Sequence, residues 1–401
     1  MNTLLYALFH ALRCHRWLRL LACAFLFTSL GNGLTQVMVF GLLLDWQAPA
    51  SLLTMAYLFA TLPGFLGSLA GEKLCMRYSP VHLLLLTEGL GLLALLFPLL
   101  GIQYHSVTAL LAVQSAEAFL MGMSWPALTL LFRRGLSEAE LPAATCLENM
   151  IFASQVLVGT GLGIVLFHHL PALALVGIDA LTFAGSLLML MLTGKALPSL
   201  APEHTAEAER PVTVRWQTLA PQQKRSLVLL PALAAVGSPA MALLPALAQH
   251  IEPDDATGLA LPLLFARSMG QLCGPLLLKR ESLARYAGQN RRLLACLGLF
   301  LLSYGAIPLL PGMLALGVVF IAHLASNIVF AAGTYSVLSS FQAAQVSAAS
   351  GKAWRWQTLS AALFTCVTAM AADALGPVEA LYGVSTCALL IVLGIMTRYR
   401  R

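Results

Sequence analysis

With 401 residues, 59% of them hydrophobic, 10% charged and a mean hydropathy of +0.82, the chain has too little polar surface to cover a water-soluble globule. Its net charge of +6 would suit a nucleic-acid partner, but the Lys and Arg residues lie in short clusters between apolar runs. That is the pattern of a polytopic helical membrane protein with cytoplasmic basic loops, and it leaves no role for DNA or RNA.

Twelve spans of about 20 residues follow in chain order, near 18–44, 50–71, 81–101, 106–131, 143–167, 171–193, 225–249, 257–278, 290–310, 312–336, 354–374 and 378–397. The segments on one side hold Arg13/Arg16/Arg19, Lys73/Arg77, Arg133/Arg134 and Lys195/Arg210/Arg215/Lys224/Arg225. They continue with Lys279/Arg280/Arg285/Arg291/Arg292, Lys352/Arg355 and Arg398/Arg400/Arg401. The opposite segments hold no Lys or Arg and carry Asp45, Glu252, Asp254, Asp255, Asp373 and Glu379. The positive-inside rule then places both termini in the cytoplasm of a bacterial-type inner membrane. Arg267 alone among the 23 basic residues sits inside an apolar stretch. The first apolar run follows three arginines and is too long for a cleavable signal. The eight cysteines lie in or beside apolar segments without metal spacing and read as reduced packing residues. No Walker loop and no nucleophile–base set is present, so neither ATP hydrolysis nor enzymatic chemistry is expected.

Residues 194–224 form the one long polar connection and divide the spans six and six. This predicts an N-terminal bundle over 1–193, a cytoplasmic linker over 194–224 and a C-terminal bundle over 225–401. A repeat crosses the divide. Gly67-Ser68-Leu69 with Leu74-Cys75-Met76-Arg77-Tyr78 recurs as Gly274-Pro275-Leu276 with Leu283-Ala284-Arg285-Tyr286.

Two such halves resemble the major facilitator superfamily. The first half is similar to its drug and siderophore exporter branch, which includes the enterobactin exporter and macrolide efflux proteins. The resemblance rests on Leu30-Gly31-Asn32-Gly33-Leu34, on Pro126-Ala127-Leu128 with Glu138-Ala139-Glu140-Leu141-Pro142-Ala143-Ala144, and on Val176-Gly177-Ile178-Asp179-Ala180-Leu181. It implies an all-α fold of twelve transmembrane helices in two pseudo-symmetric six-helix bundles, and a monomer. It further implies alternating access for a small organic molecule, energised by protons and without a cofactor. The superfamily's loop signature after span 2 is degraded. Glu72 stands one position late for its aspartate, and Arg77 and the repeat's Arg285 supply the basic residues. Span 5 keeps Gly159, Gly161 and Gly163 of the antiporter motif without its proline, and the first-span acid is Asn32. Export of a siderophore or drug in exchange for protons is the leading expectation. Inward movement of a metal-siderophore, or lipid flipping on the same fold, are the alternatives.

An ionised side chain at mid-bilayer must face water or a partner. Arg267 and Glu117 both fall near mid-depth, on spans that the resemblance places around the cleft, and form a candidate charge pair between the halves or a static structural pair. Glu148 is a proton acceptor or a partner of Arg133 or Arg134. Glu88 and Asp179 fall on spans outside the cleft, where hydrogen bonding between helices is the expected role. Asn32 and Gln36 share one helix face, as do His323 and Asn327, and His323 titrates near neutrality in water. Trp354 and Trp356 are expected as interfacial anchors. The His168-His169 pair lacks other metal ligands, so no metal is expected.

Overall fold

A computed structural model describes residues 3–46, 58–197, 212–252, 256–276 and 278–399. The first half contains α1 (Leu4–Cys14), α2 (Arg16–Asp45), α3 (Pro63–Cys75), α4 (Pro80–Ala94), α5 (Leu96–Tyr104), α6 (Val107–Gly135), α7 (Leu141–Ser154), α8 (Gly161–His169) and α9 (Ala172–Ala196). The second contains α10 (Pro221–Ile251), α11 (Ala256–Leu276), α12 (Arg280–Gly288), α13 (Asn290–Ala306), α14 (Gly312–Ser340), α15 (Ala343–Leu375) and α16 (Pro377–Arg398). Nine helical stretches among the described residues are long and apolar enough to cross a bilayer. The chain is an all-α, multi-pass membrane protein.

Every expected span falls on a helix, although residues 50–57 of the second lie outside the described residues, as do Arg210, Asp254, Asp255, Arg400 and Arg401. Several boundaries differ for local reasons. The third span breaks at Leu95, because Pro98 in the first turn of α5 has no N–H to give the Ala94 carbonyl. The fifth span carries a π-helical turn, Gln155–Thr160, between α7 and α8. The eleventh begins at Ala343, eleven residues before the expected 354. Its first three turns are rich in Ser and Ala and include Lys352, so hydropathy misses them, although small residues favour close helix packing. Arg355 is therefore a buried helical residue and not part of an exposed loop.

Three apolar cores organise the molecule. One, including Met38, Leu95, Leu110 and Phe183, belongs wholly to the first half. A second, including Leu244, Leu263, Phe300 and Val319, belongs wholly to the second. The third is shared: Trp17, Phe132 and Leu147 of the first half pack in it with Leu278, Phe341 and Ala349 of the second. It lies at the end bearing the basic clusters. The linker segment from Val212 onward also docks here. Val212 N–H donates to the Ala344 carbonyl (2.7 Å), Lys352 Nζ to the Val214 carbonyl (2.8 Å), and Trp216 packs edge-on to Trp356 at 5.0 Å.

α1 was not among the expected elements, being too short to span. Leu4, Leu8 and Ala11 bury one face while Tyr6 and Phe9 stay exposed on the other. Leu4 N–H donates to the Leu278 carbonyl (2.9 Å), and Thr3 forms a bridge with Lys279 of the second half. Just after α1, His15 Nε2 lies 2.8 Å from Glu140 Oε1, while the Ser137 hydroxyl donates to Glu140 Oε2 at 2.6 Å. Partial burial pushes the Glu140 carboxyl up, but the Ser137 and His15 hydrogen bonds outweigh this and hold it below its ordinary value. Such a carboxyl stabilises the fold while ionised, and that contribution disappears as pH falls through its depressed value. Acidification from about pH 6 to below about pH 4 should therefore free α1, read as hydrogen-exchange protection lost within residues 4–14 after correction for the chemical exchange rate. Glu140→Gln should lose the pH 6 protection, and equal protection of both proteins at pH 6 would refute the role.

Candidate functional site

At the basic end the two halves are held by a polar clamp. Arg355 on α15 reaches Glu72 on α3, Nη2 to Oε2 2.7 Å, with both side chains largely buried. The same guanidinium contacts the Ser68 carbonyl at 3.5 Å. Thr129 and Ser350 hydroxyls meet at 2.8 Å, Arg133 Nε donates to the Phe341 carbonyl at 3.3 Å, and Trp125 stacks on Trp354 with centroids 4.9 Å apart. Trp354 thus packs between the halves and Trp356 against the linker. Close approach needs Gly64 and Gly351. A Cβ on Gly64 would lie 3.2 Å from Trp354 Nε1, and one on Gly351 3.4 Å from the Ser68 carbonyl. Of the expected gating residues, Glu72 is in the clamp. Arg77 is exposed, and Arg285 is exposed with a 4.0 Å approach to Glu281 of its own helix. At the opposite end no hydrogen bond or ion pair joins the halves among the described residues.

Toward mid-depth, several polar atoms are buried without a partner among the described residues: Asn32 Oδ1, Glu117 Oε1, Arg267 Nε, Gln271 Oε1, Gln357 Oε1 and Thr365 Oγ1. Glu117, Arg267 and Thr365 lie ten, eleven and ten residues from the acidic-end termini of α6, α11 and α15. At ~1.5 Å per residue all three sit about 15–17 Å deep. Gln271, one turn from Arg267 on the same face, escaped the sequence reading, as did Gln357 and Thr365. Neutral polar residues occur throughout such spans, and only the i, i+4 spacing from Arg267 marked any of them. Arg267 and Glu117 do not form the expected charge pair: no ion pair links either to another described residue.

His323 is fully buried, with Nε2 2.6 Å from the Tyr304 hydroxyl and its ring edge-on to Phe300. Asn327 Nδ2 approaches the His323 carbonyl at 3.4 Å. The pair shares a face as expected, but that face packs inside the second half, where Gly270 and Gly274 of α11 press against α14. Gln36 is half-buried. Gly159 and Gly163 set the crossing of α2 over the fifth span. A Cβ on Gly33 would stand 2.4 Å from Gly159 Cα, and one on Gly163 2.9 Å from Val37, whereas Gly161 faces open space. Asp179 accepts from Thr35 and, at 3.0 Å, from Thr182, and Glu88 accepts from Thr28 at 2.9 Å, so both acids tie α2 to its neighbours. Glu148 is buried, 2% exposed, and contacts neither Arg133 nor Arg134. It lines a small cavity between the halves with Trp125, Thr129, Leu230, Thr334 and Ser350.

No family model matches this sequence. An uncharacterized 29.9 kDa protein in the crtE 3′ region of Pseudescherichia vulneris is 58% identical over 74 residues, 18% of this chain and 27% of that protein. The match thus spans about a quarter of its relative. Among solved structures, a bacterial homologue of the iron transporter ferroportin in the outward-facing state aligns with a TM-score of 0.71 at 14% identity, covering 96% of this chain and 98% of that one. The human organic anion transporter MFSD10 aligns at 0.68 and 16% identity, over 94% and 97%. The E. coli fucose:proton symporter FucP, a major facilitator superfamily transporter, aligns at 0.66 and 13% identity, over 96% and 98%. The chain has the major facilitator fold, in two pseudo-symmetric six-helix bundles.

Proposed function

We propose that this protein is a secondary transporter moving a small organic molecule across the bacterial inner membrane by alternating access, in exchange for protons. The reading rests on one observation: a major facilitator fold whose halves are joined by a shared core and clamp at the basic end and, among the described residues, by no hydrogen bond or ion pair at the other. Lys and Arg clustering makes the clamped end cytoplasmic, with both termini there, so the chain rests in an outward-facing state. The first half is residues 1–193 and the second 225–401, with 194–224 between them. Glu117, Asn32 and Gln36 supply substrate or proton contacts from the first half, and Arg267 from the second. Arg267 suits an anionic group, such as a siderophore carboxylate or catecholate.

The similarity of the first half to siderophore and drug exporters, carried by Gly31-Asn32-Gly33 and the residues after span 4, favours export. Inverted membrane vesicles holding the protein test this. An inward-acidic gradient should drive accumulation of a catecholate siderophore, and its collapse should abolish it. Accumulation that ignores the gradient would refute antiport, and movement in the reverse direction would favour import.

A further inference from the structure

We infer that α1 is an interfacial helix that binds anionic phospholipids of the cytoplasmic leaflet through Tyr6, Phe9, Arg13, Arg16 and Arg19. The helix stands outside the twelve expected spans, and both of its ends are fixed at the membrane boundary. One residue, His15, separates it from α2, which enters the bilayer at its first turn. At the other end Leu4 N–H donates to the Leu278 carbonyl (2.9 Å) and Thr3 bridges to Lys279, just past the end of α11. A helix held at one level by both ends, about 16 Å apart at ~1.5 Å per residue, lies in the plane of the headgroups and not across it.

The surface of α1 is graded as that position demands. Leu4, Leu8 and Ala11 bury one side in the core shared by the halves. Leu5, Phe9 and Leu12, spaced i, i+4 and i+7, form an apolar flank, with Phe9 57% exposed and the two leucines half-buried. His10 and Cys14 form the opposite flank, Nδ1 to Sγ 3.8 Å. Between the flanks, on the side turned away from the protein, stand Tyr6 and Arg13, both exposed and two turns apart. An apolar flank beside the acyl chains, a polar flank toward the cytoplasm, and a phenol and guanidinium at headgroup level define an interfacial helix.

Charge decides which headgroups it meets. Arg13, Arg16 and Arg19 are exposed within one stretch around the His15 bend, and none makes an ion pair with a described residue. The acids at this end are taken: Glu140 by His15 and Ser137, Glu138 by Arg133, Glu72 by Arg355 and Glu281 by Arg285. Three uncompensated positive charges at the water boundary attract an anionic surface, and a planar guanidinium can hold a phosphodiester through two N–H groups. α1 packs on α7 of the first half and reaches the loop after α11 of the second, so lipid bound to it favours the closed basic end by mass action.

The full-length protein in lipid nanodiscs tests this with no transported substrate, so the outcome is separate from that of the proposed function. Hydrogen exchange within residues 4–14 is compared between discs of phosphatidylcholine alone and discs with about 40% phosphatidylglycerol. The anionic discs should raise protection at least fivefold, roughly the effect of one arginine at an anionic surface. Raising NaCl from about 0.1 to about 1 M, which shortens the Debye length from about 10 to about 3 Å, should erase most of that gain. Arg13→Gln should lose part of the gain, and Arg13→Gln with Arg16→Gln and Arg19→Gln nearly all of it, whereas Lys at all three positions should keep it. Tyr6→Ser with Phe9→Ser should lower protection in both discs. Comparing variants in one kind of disc cancels the lower pH of an anionic surface. Equal protection of the wild type in both discs, or a triple Arg→Gln protein that gains as much as the wild type, would overturn the site. So would a gain reproduced in phosphatidylcholine discs by glycerol phosphate in solution, which would mark a free-anion site. Residues 343–358 should gain protection together with α1, and their indifference would overturn the coupling to closure.

Discussion

Arg355→Ala should convert a protein that rests closed at its basic end into one that samples the opposite state at least tenfold more often. Arg355 and Glu72 are 9% and 13% exposed in their side chains and lie 2.7 Å apart. Removing one partner of a buried pair typically costs ~3–5 kcal/mol, because the other charge is stranded. Here the stranded Glu72 regains water as the halves part, so the penalty falls on the closed state. A discounted ~1.5–3 kcal/mol corresponds to about 10- to 150-fold in the conformational ratio. Glu72→Gln with Arg355→Gln together should shift it less than either alone, since no bare charge remains. Accessibility of a cysteine placed at Ser68, behind the clamp, would measure the ratio in a background without the exposed native thiols. Unchanged labelling in Arg355→Ala would show that the shared core alone holds this end.

Arg267→Ala should cut transport of an anionic substrate by one to two orders of magnitude, about 10- to 150-fold, while the protein still inserts and folds. The guanidinium makes no ion pair with a described residue, and one of its nitrogens is buried without a hydrogen bond. Its removal therefore strands no buried carboxylate, and the melting temperature should move by only a few degrees. A charge-assisted hydrogen bond contributes ~1.5–3 kcal/mol, so transport efficiency should fall about 10- to 150-fold. Arg267→Lys should recover part of that by keeping the charge and losing the planar fork. Vesicle transport measured alongside thermal melting separates the outcomes. Full transport by Arg267→Ala would remove this residue from the substrate path, and a collapse of the melting temperature would make it a structural group acting through Tyr304 and His323.

Composition and the placement of Lys and Arg made most of the fold legible, because a bilayer permits few architectures and hydropathy with charge identifies them. The failures cluster where membrane thickness is not the controlling constraint. α1 and α12 lie along the basic end, and an eleven-residue amphipathic helix gives too short a signal for a span. The start of α15 is polar by composition yet buried, since its neighbour is the other half of the protein and not water. Arg355, expected at the cytoplasmic start of span 11, is instead three turns into α15 and the centre of the clamp. Sequence also pairs residues by depth and not by direction. Glu117 and Arg267 share a level but form no ion pair with each other, and His323 turns toward Tyr304. Such orientations depend on helix rotation, which Gly270 and Gly274 set by admitting α14 closely.

The antiparallel contact between Thr3 and Lys279 has a practical side. Thr3 is stitched to the far bundle, so anything fused ahead of it loads this contact between the halves. An affinity handle or fluorescent reporter placed there would bias the very equilibrium being measured. The same cargo appended after α16, whose last turn carries exposed side chains, would ride along without leverage.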